Sequence, residues 1–326
     1  MPELPEVETV RRGLSRLIIG RQISGVVVHD SPRSWPNDTT QVEQFVYGAR
    51  VVGVHRRAKV LLIDLDTDYT LVTHLKMTGQ VVYIQKELAR QGGASTSQQA
   101  SFRGSGDDDE LISASSGGAS PSLRFGAGHP NDSLVGELPD RSTRVSIQFA
   151  DGSHLYFNDQ RKFGWMKLYP TIEVPNIDFM RRVGPEPLED SFTGEVLHER
   201  LQRRKRTSIK AALLDQTVLA GVGNIYADEA LWGASIHPAT LVGDVSETSI
   251  HVLVDEIKHV MNLAIEKGGS TDRNYVNAEG KKGSYIDFAR VFRREGMPCH
   301  RHPDVLIEKS RVAGRGTHTC PVCQVI

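Results

Sequence analysis

Two pairs of potential metal ligands near the C-terminus constrain the fold most, because one ion shared by both pairs would fix four backbone positions around a point. Cys299 and His302 form the first pair, and after seventeen residues Cys320 and Cys323 form the second. Together they offer the Cys3His set of a tetrahedral structural zinc site, although His300 competes with His302 as the fourth ligand. All three cysteines of the chain lie here, which favours metal over disulfides and a reducing cytosol. We predict one structural Zn²⁺ ion, bound by Cys299, His302, Cys320 and Cys323.

The segment between the two ligand pairs has the pattern of a β-hairpin. Residues 305–307 and 317–319 predict its two arms, and Gly314 and Gly316 predict a turn near Arg315. Glycine on both sides lets the backbone approach a ligand closely, so we expect the Arg315 side chain to bind a phosphate.

The N-terminus offers a second kind of chemistry. Removal of Met1 would leave a secondary amine at Pro2, with Glu3 and Glu6 beside it as candidate acids or bases. An α-amino group titrates near about pH 8, so an unprotonated fraction at neutral pH can attack an electrophilic carbon and form an iminium. The alternative is that this start merely leads into a helix, which the apolar spacing predicts to end at Gly20.

The distribution of charge along the chain says more about the class of protein than the net charge does. The chain has 326 residues, no apolar run of membrane-spanning length and no signal peptide, so we expect a soluble cytoplasmic protein. The formal net charge is -1, but residues 203–210 carry five bases and no acid, and residues 281–326 carry nine bases and four acids. Locally concentrated positive charge sets affinity for phosphate, so these two segments predict a nucleic-acid-binding surface.

Short β-rich segments fill the first part of the chain, and helical periodicity follows. Strands are expected at residues 23–29, 51–54, 60–65, 69–74, 81–84, 145–149, 154–157 and 164–168. Helical spacing begins near residue 178. We predict an α+β fold, with a β-sandwich and flanking helix over 1–175, a helical domain over 176–284 and the zinc hairpin over 285–326. Residues 88–140, rich in glycine, serine and acidic side chains near their centre, predict a disordered insertion.

Seven short motifs resemble those of the formamidopyrimidine-DNA glycosylase family, whose members are bifunctional base-excision repair enzymes for oxidised purines. They are RRAK at 56–59, HLKMTG at 74–79, NDQRKFG at 158–164, GPEPL at 184–188, IK at 209–210, GVGNIY at 221–226 and GRGT at 314–317. Their order and spacing, together with the two chain ends, extend the resemblance over nearly the whole chain. It implies that residues 207–234 form a helix-two-turn-helix.

The resemblance also implies a mechanism. Pro2 would attack C1′ of a flipped-out nucleotide and form a Schiff base, with Glu3 as general acid or base and Glu6 positioning Pro2 or a water. Lys59 would contact the lesion side and donate a proton during β-elimination. Arg315 would bind phosphate and take part in δ-elimination.

A set of DNA contacts follows from the same motifs. Met77 and Phe163 would fill the void left by the flipped nucleotide, and Arg161 would hydrogen-bond the orphaned base. Further contacts, mostly with phosphate, are implied for Arg144, Lys205, Lys210, Asn224 and Tyr285. The chain departs from the family in three places: Arg144 replaces a frequent histidine, His302 replaces a usual cysteine, and the insertion at 88–140 is unusually long.

The lesion class rests on fewer residues. Leu4 and the loop at 268–277 resemble the oxidised-purine branch, which acts on 8-oxoguanine and formamidopyrimidines, so we expect that specificity. One alternative is the endonuclease VIII branch, which acts on oxidised pyrimidines and usually carries glycine at the fourth position. Another is a catalytically idle protein that only binds lesions. The expected partner is damaged double-stranded DNA, bound by a monomer in a bacterial-type cytoplasm at the nucleoid.

Overall fold

The computed structural model describes residues 2–86, 122–129, 132–270 and 285–326. Within these ranges, strands β1 to β9 form two antiparallel sheets, with orders β1-β7-β8-β5-β6 and β2-β3-β4-β9. Their bounds are Ile23–Val28, Val51–Arg57, Val60–Leu65, Tyr69–His74, Gly79–Lys86, Ser122–Gly128, Thr143–Phe149, His154–Asp159 and Trp165–Pro170. One core contains buried side chains from both sheets, such as Ile63 and Ile147, so the predicted β-sandwich is confirmed.

The opening helix joins the sandwich to the rest of the molecule. Helix α1 spans Leu4–Leu17, and Gly20 follows it at φ +85°. Its residues Val7 and Val10 pack in the sandwich core, whereas Leu4 packs in the core of the helical domain. One helix therefore belongs to both cores, and its first turn lies between them.

Helical structure dominates the second part of the chain, as the periodicity predicts. After α2 (Thr39–Phe45) in the sandwich, the helices are α3 to α7, at Asp178–Arg182, Gly194–Leu201, Ile209–Leu214, Asn224–Gly233 and Glu247–Glu266. Phe179 of α3 packs with Trp165 of β9, so α3 lies against the sandwich, and the expected domain boundary at 175 stays a prediction. No helix in the described ranges is long and apolar enough to cross a membrane.

The C-terminal hairpin forms, but one arm is shifted from its predicted position. Strands β10 (Glu308–Val312) and β11 (Arg315–Thr319) pair antiparallel, so the expected arm at 305–307 is wrong. Residues 306 and 307 instead bridge to residues 298 and 295. Ile307 is buried with Trp232, and this packing keeps the segment out of the hairpin.

The predicted disordered insertion at 88–140 is wrong in its last third. Strand β6 pairs with β5 along its whole length, from Ser122 opposite Lys86 to Gly128 opposite Gln80. Phe125 packs against α1 at Gly13, where a Cβ would come within 2.0 Å of the ring. This tertiary contact stabilises β6, although the sequence of the segment is not typical of a strand. The rest of the predicted insertion, residues 88–121 and 130–131, lies outside the described residues.

Candidate active site

The five residues expected to perform the chemistry line one cavity of about 570 Å³. They are Pro2, Glu3, Glu6, Lys59 and Arg315. They come from the start of α1, the β2–β3 turn and the hairpin. The cavity lies where the sandwich, the helical domain and the hairpin meet.

A glycine loop holds the N-terminus in place. The Leu4 amide donates to the Gly221 carbonyl at 3.1 Å, and Gly221 has φ +77°. A Cβ at Gly223 would lie 2.2 Å from Glu3 Cδ, so only glycine lets the loop approach the carboxylate this closely. The Ile225 amide at the start of α6 then donates to Glu3 Oε1 at 3.1 Å. The motif at 221–226 therefore contacts the N-terminus directly.

Glu3 is a buried carboxyl group with one unpaired oxygen. Its exposed fraction is 3%, and Oε2 has no hydrogen-bond partner in the described part of the chain. Burial raises the pKa of Glu3 to about 7, against the opposing effect of the Lys59 ammonium. A carboxyl group with this pKa can both give and take a proton at neutral pH.

Lys59 faces Glu3 across the cavity. Ala58, with φ +52°, turns the chain at the β2–β3 connection and directs Lys59 inward, where Nζ donates to the Val222 carbonyl at 2.8 Å. Burial lowers the pKa of Lys59, while Glu3 and Glu6 oppose that change. An ammonium of lowered pKa is a better proton donor than an exposed lysine.

Glu186 fixes the turn that carries Lys59. Its carboxylate accepts from Arg56 Nη1 and Arg57 Nη1, both at 2.7 Å, and from the Ala58 amide at 2.6 Å. Although burial acts to raise the pKa of Glu186, these donors hold it below its usual value. The RRAK and GPEPL motifs are thus two halves of one buried network. Sequence analysis did not assign Glu186, and the charge complementarity of the two motifs was the available signal.

Glu6 is engaged in hydrogen bonds that orient the start of α1. Its Oε2 accepts from the Glu3 amide at 2.7 Å, and its Oε1 accepts from Tyr226 Oη and the Ser270 amide, each at 2.7 Å. These contacts agree with a positioning role. Residues 271–277 of the expected lesion-capping loop lie outside the described residues.

Tyr285 packs in the core of the helical domain, and its expected DNA contact stays a prediction. Its exposed fraction is 1%, and its ring packs against Tyr226 at a centroid distance of 5.4 Å. Its hydroxyl donates to Glu229 at 3.1 Å. Glu229 also accepts from the amides of Arg290, Val291 and Phe292, so it shapes the segment that forms the far wall of the cavity.

Lys210 is buried in this structure, and its expected phosphate contact stays a prediction. Its side chain is fully buried, 2.6 Å from Asp228 Oδ1, and it donates to Thr317 Oγ1 at 2.7 Å and to the Gly316 carbonyl at 3.1 Å. Lys210 therefore joins α5 and α6 to β11. Sequence analysis did not identify Asp228, whose carboxylate makes this burial possible.

The other side chains that were expected to contact DNA are either exposed or hydrogen-bonded within the protein. Lys205 is exposed, whereas Asn224 lines the cavity and donates from Nδ2 to the Gly316 carbonyl at 3.1 Å. Arg144 is 5% exposed and donates to the carbonyls of Asp159 and Arg141, and its expected DNA contact stays a prediction.

The three expected void-filling residues lie on two neighbouring turns. Met77 lines the cavity from the β4–β5 turn. Phe163, 54% exposed, and Arg161 lie on the β8–β9 turn, with the guanidinium 5.0 Å from the ring centroid.

The predicted metal ligands form one cluster. Donor atoms of Cys299, His302, Cys320 and Cys323 all lie within 4.8 Å of one another. The sulfurs of Cys299 and Cys323 are 3.7 Å apart, close to the roughly 3.8 Å separation expected for Zn–S bonds of about 2.3 Å in a tetrahedron. His302 Nδ1 lies 3.2 Å from Cys323 Sγ, whereas His300 is exposed and outside the cluster. The donor set therefore fits a tetrahedral metal ion, with His302 as the fourth ligand.

Comparisons with known proteins agree with this geometry. The family model for the formamidopyrimidine-DNA glycosylase N-terminal domain matches residues 1–166, and that for the H2TH domain of the same enzymes matches residues 183–275. Formamidopyrimidine-DNA glycosylase of Pediococcus pentosaceus is 37% identical over 326 residues, covering 100% of both chains.

The chain belongs to the formamidopyrimidine-DNA glycosylase family. Another relative, from Pelotomaculum thermopropionicum, is 35% identical, again with 100% of both chains covered. Among solved structures, a Lactococcus lactis Fpg mutant in complex with Fapy-dG-containing DNA aligns with a TM-score of 0.76 at 32% identity, covering 99% of each chain. A complex of the wild-type Lactococcus lactis enzyme with DNA containing an oxidised pyrimidine gives a TM-score of 0.75.

The cavity brings several kinds of chemical group together. It places a secondary amine, once Met1 is removed, beside a carboxyl group that exchanges protons at neutral pH and a buried ammonium. Arg315 adds a cation at the hairpin side. The arrangement suits covalent catalysis by an amine on an anionic substrate.

Proposed function

We propose that this protein is a bifunctional DNA glycosylase of base excision repair that removes oxidised purines and then nicks the strand at the abasic site. The proposal depends chiefly on one observation, the shared cavity of Pro2, the unpaired Glu3 oxygen and Lys59. Family membership over the whole chain supports it. A merely lesion-binding protein has no need of a carboxyl group held near neutral pKa beside an N-terminal amine.

The chemistry proceeds in two stages. The Pro2 nitrogen attacks C1′ of the flipped nucleotide, the bond from C1′ to the base breaks, and Glu3 protonates the sugar ring oxygen so that an iminium forms with the opened sugar. Glu3, now a carboxylate, takes a C2′ proton, the C3′–O bond breaks, and the 3′ phosphate leaves with a proton from Lys59. Loss of a C4′ proton to water then prepares the second elimination. Expulsion of the 5′ phosphate follows, and Arg315 binds the departing phosphate.

Damaged double-stranded DNA is the proposed partner, and zinc is the proposed metal. Cys299, His302, Cys320 and Cys323 would hold one Zn²⁺ ion, which would supply structural energy to the hairpin and no chemistry. Arg315, on that hairpin, and the exposed Lys205 then provide cations for the DNA backbone.

Replacement of the nucleophile tests the proposal. Pro2→Gly, and a homogeneous protein with one extra residue before Pro2, should lose borohydride trapping on lesion DNA and strand nicking, because neither keeps the secondary amine. Lesion binding should persist in both, measured by fluorescence anisotropy. Undiminished trapping of the extended protein would refute the assignment of Pro2.

The lesion class is tested by single-turnover excision from matched duplexes. We expect faster release of 8-oxoguanine and formamidopyrimidines than of oxidised pyrimidines, given the family match. The reverse order would favour the endonuclease VIII-like alternative.

A further inference from the structure

The two turns that carry the expected void-filling residues are neighbours because of the sheet topology. The β4–β5 and β8–β9 connections both cross from one sheet of the sandwich to the other. His74 at the end of β4 pairs with Trp165 of β9, and Gly79 of β5 pairs with Asp159 at the end of β8. The two crossings therefore run side by side at one end of the sandwich.

The Asp159 carboxylate lies between these crossings and is fully buried. Its Oδ1 accepts from the Thr78 hydroxyl on the first turn and from the Arg161 amide at 3.1 Å on the second. Its Oδ2 accepts from the amides of Phe163 at 2.8 Å and Gly164 at 2.6 Å. The Arg161 amide also donates to Thr78 Oγ1 at 3.1 Å, which closes the link between the turns.

The surroundings of Asp159 leave little freedom for this carboxylate. A Cβ at Gly164 would lie 3.1 Å from Asp159 Oδ2 and 2.6 Å from Phe157 Cζ, so glycine is required for this approach. Arg144 Nε donates to the Asp159 carbonyl at 2.7 Å. Arg144 thus supports the backbone of Asp159 where a DNA contact was expected.

We propose that Asp159 is a positioning residue that joins the Met77 turn and the Arg161–Phe163 turn into one rigid wedge. Met77 and Phe163 would then enter the duplex together, because neither turn can move without breaking hydrogen bonds to a buried carboxylate. This inference rests on the proposed function, in which the wedge replaces a flipped nucleotide.

Asp159→Asn tests the inference. The amide nitrogen would replace one of the two carboxylate oxygens, and it cannot accept the hydrogen bonds that this oxygen accepts. Single-turnover excision of 8-oxoguanine from duplex DNA should slow by roughly 10- to 100-fold, the scale of small misplacements. Nicking of a single-stranded oligonucleotide with an abasic site needs no wedge, so we expect it within about threefold of the parent rate. Fluorescence of 2-aminopurine beside the lesion should show slower base eversion.

Control variants separate the possible failures. Asp151→Asn changes a carboxylate in the turn before β8, at the other end of that strand, where Asp151 accepts from the Ser153 amide and pairs with Arg21, and it should leave both rates unchanged. Met77→Ala and Phe163→Ala should reproduce the selective duplex defect. The inference alone would be overturned if Asp159→Asn slowed the reaction equally on both substrates. It would also be overturned if Asp159→Asn kept the parent rate on duplex DNA while Met77→Ala and Phe163→Ala lost it. Unimpaired wedge variants would refute the void-filling role and the inference with it, whereas a parent protein without excision or nicking would refute the proposed function.

Discussion

The two carboxylate oxygens of Glu3 differ in their surroundings. One oxygen accepts from the Ile225 amide and anchors the N-terminus to α6, and the other has no partner in the described structure. An unpaired buried oxygen is costly unless a ligand completes it. Oε2 of Glu3 is therefore available to hold a proton or to accept a hydrogen bond.

Replacing this carboxyl group should separate chemistry from binding. Glu3→Gln keeps the shape but cannot exchange a proton at neutral pH, so lesion-DNA affinity should stay within about tenfold while base release is lost. In the parent protein the acid form of Glu3 falls as pH rises through its pKa of about 7. If the acid form is required, single-turnover base release should fall about tenfold per pH unit above that value. Base release by Glu3→Gln at the parent rate would exclude Glu3 as the acid.

At the scale of elements, the C-terminal hairpin is held from two sides. Lys210 and Asn224 attach β11 to the helical domain through Thr317 and Gly316. The four candidate metal ligands lie at the base of the hairpin, where Arg301 lies 4.0 Å from the Trp232 ring centroid. Arg315 lies beyond both attachments, so its position depends on them.

The fourth metal ligand offers a direct test of that dependence. His302→Ala should release zinc, measured by metal analysis, and weaken DNA binding and nicking at least tenfold, because the small hairpin core cannot replace the metal. His300→Ala is the matched control and should change neither quantity. His302→Cys should preserve both, since thiolate also suits tetrahedral zinc. Full zinc occupancy in His302→Ala would disprove this ligand set.

At the scale of the whole molecule, the cavity exists because one helix and one network span two domains. Helix α1 contributes to both cores, and Arg56 joins Glu8 of α1 to Glu186 at distances of 3.2 and 2.7 Å. The side chains of Arg56, Glu8 and Glu186 are all nearly buried, so loss of any one of them would leave a buried charge without its partner. The catalytic groups are thus fixed relative to one another across the domain boundary.

The predicted insertion provides a test at the same scale. Strands β5 and β6 pair up to Lys86 and Ser122, so a short Gly/Ser turn in place of residues 90–118 should leave their register intact. Loop-closure cost grows by about 0.6 kcal/mol per doubling of length, so the shortened protein should melt at the parent temperature or slightly above it. Excision should stay within about twofold. A large loss of excision in a stably folded deletion would assign a function to the segment.

Local patterns in the sequence predicted much of the fold and of the candidate site. Strand alternation located every expected strand of the sandwich, and the first six residues indicated the amine and its acid. The ligand spacing indicated the metal cluster, although His302 and His300 stayed open until their positions were known. These features are carried by neighbouring residues, which is why a sequence shows them.

Only the tertiary structure decided which polar side chains are buried and paired inside the protein. Lys210, Arg144 and Tyr285 looked like contacts, but Asp228, the carbonyls of Asp159 and Arg141, and Glu229 engage them inside the protein. Burial likewise raises the pKa of Glu3 to about 7, and the backbone at Gly223, far away in the sequence, packs against this carboxyl group. Burial and pairing are sums over the whole fold, so the identity of a residue type does not determine them.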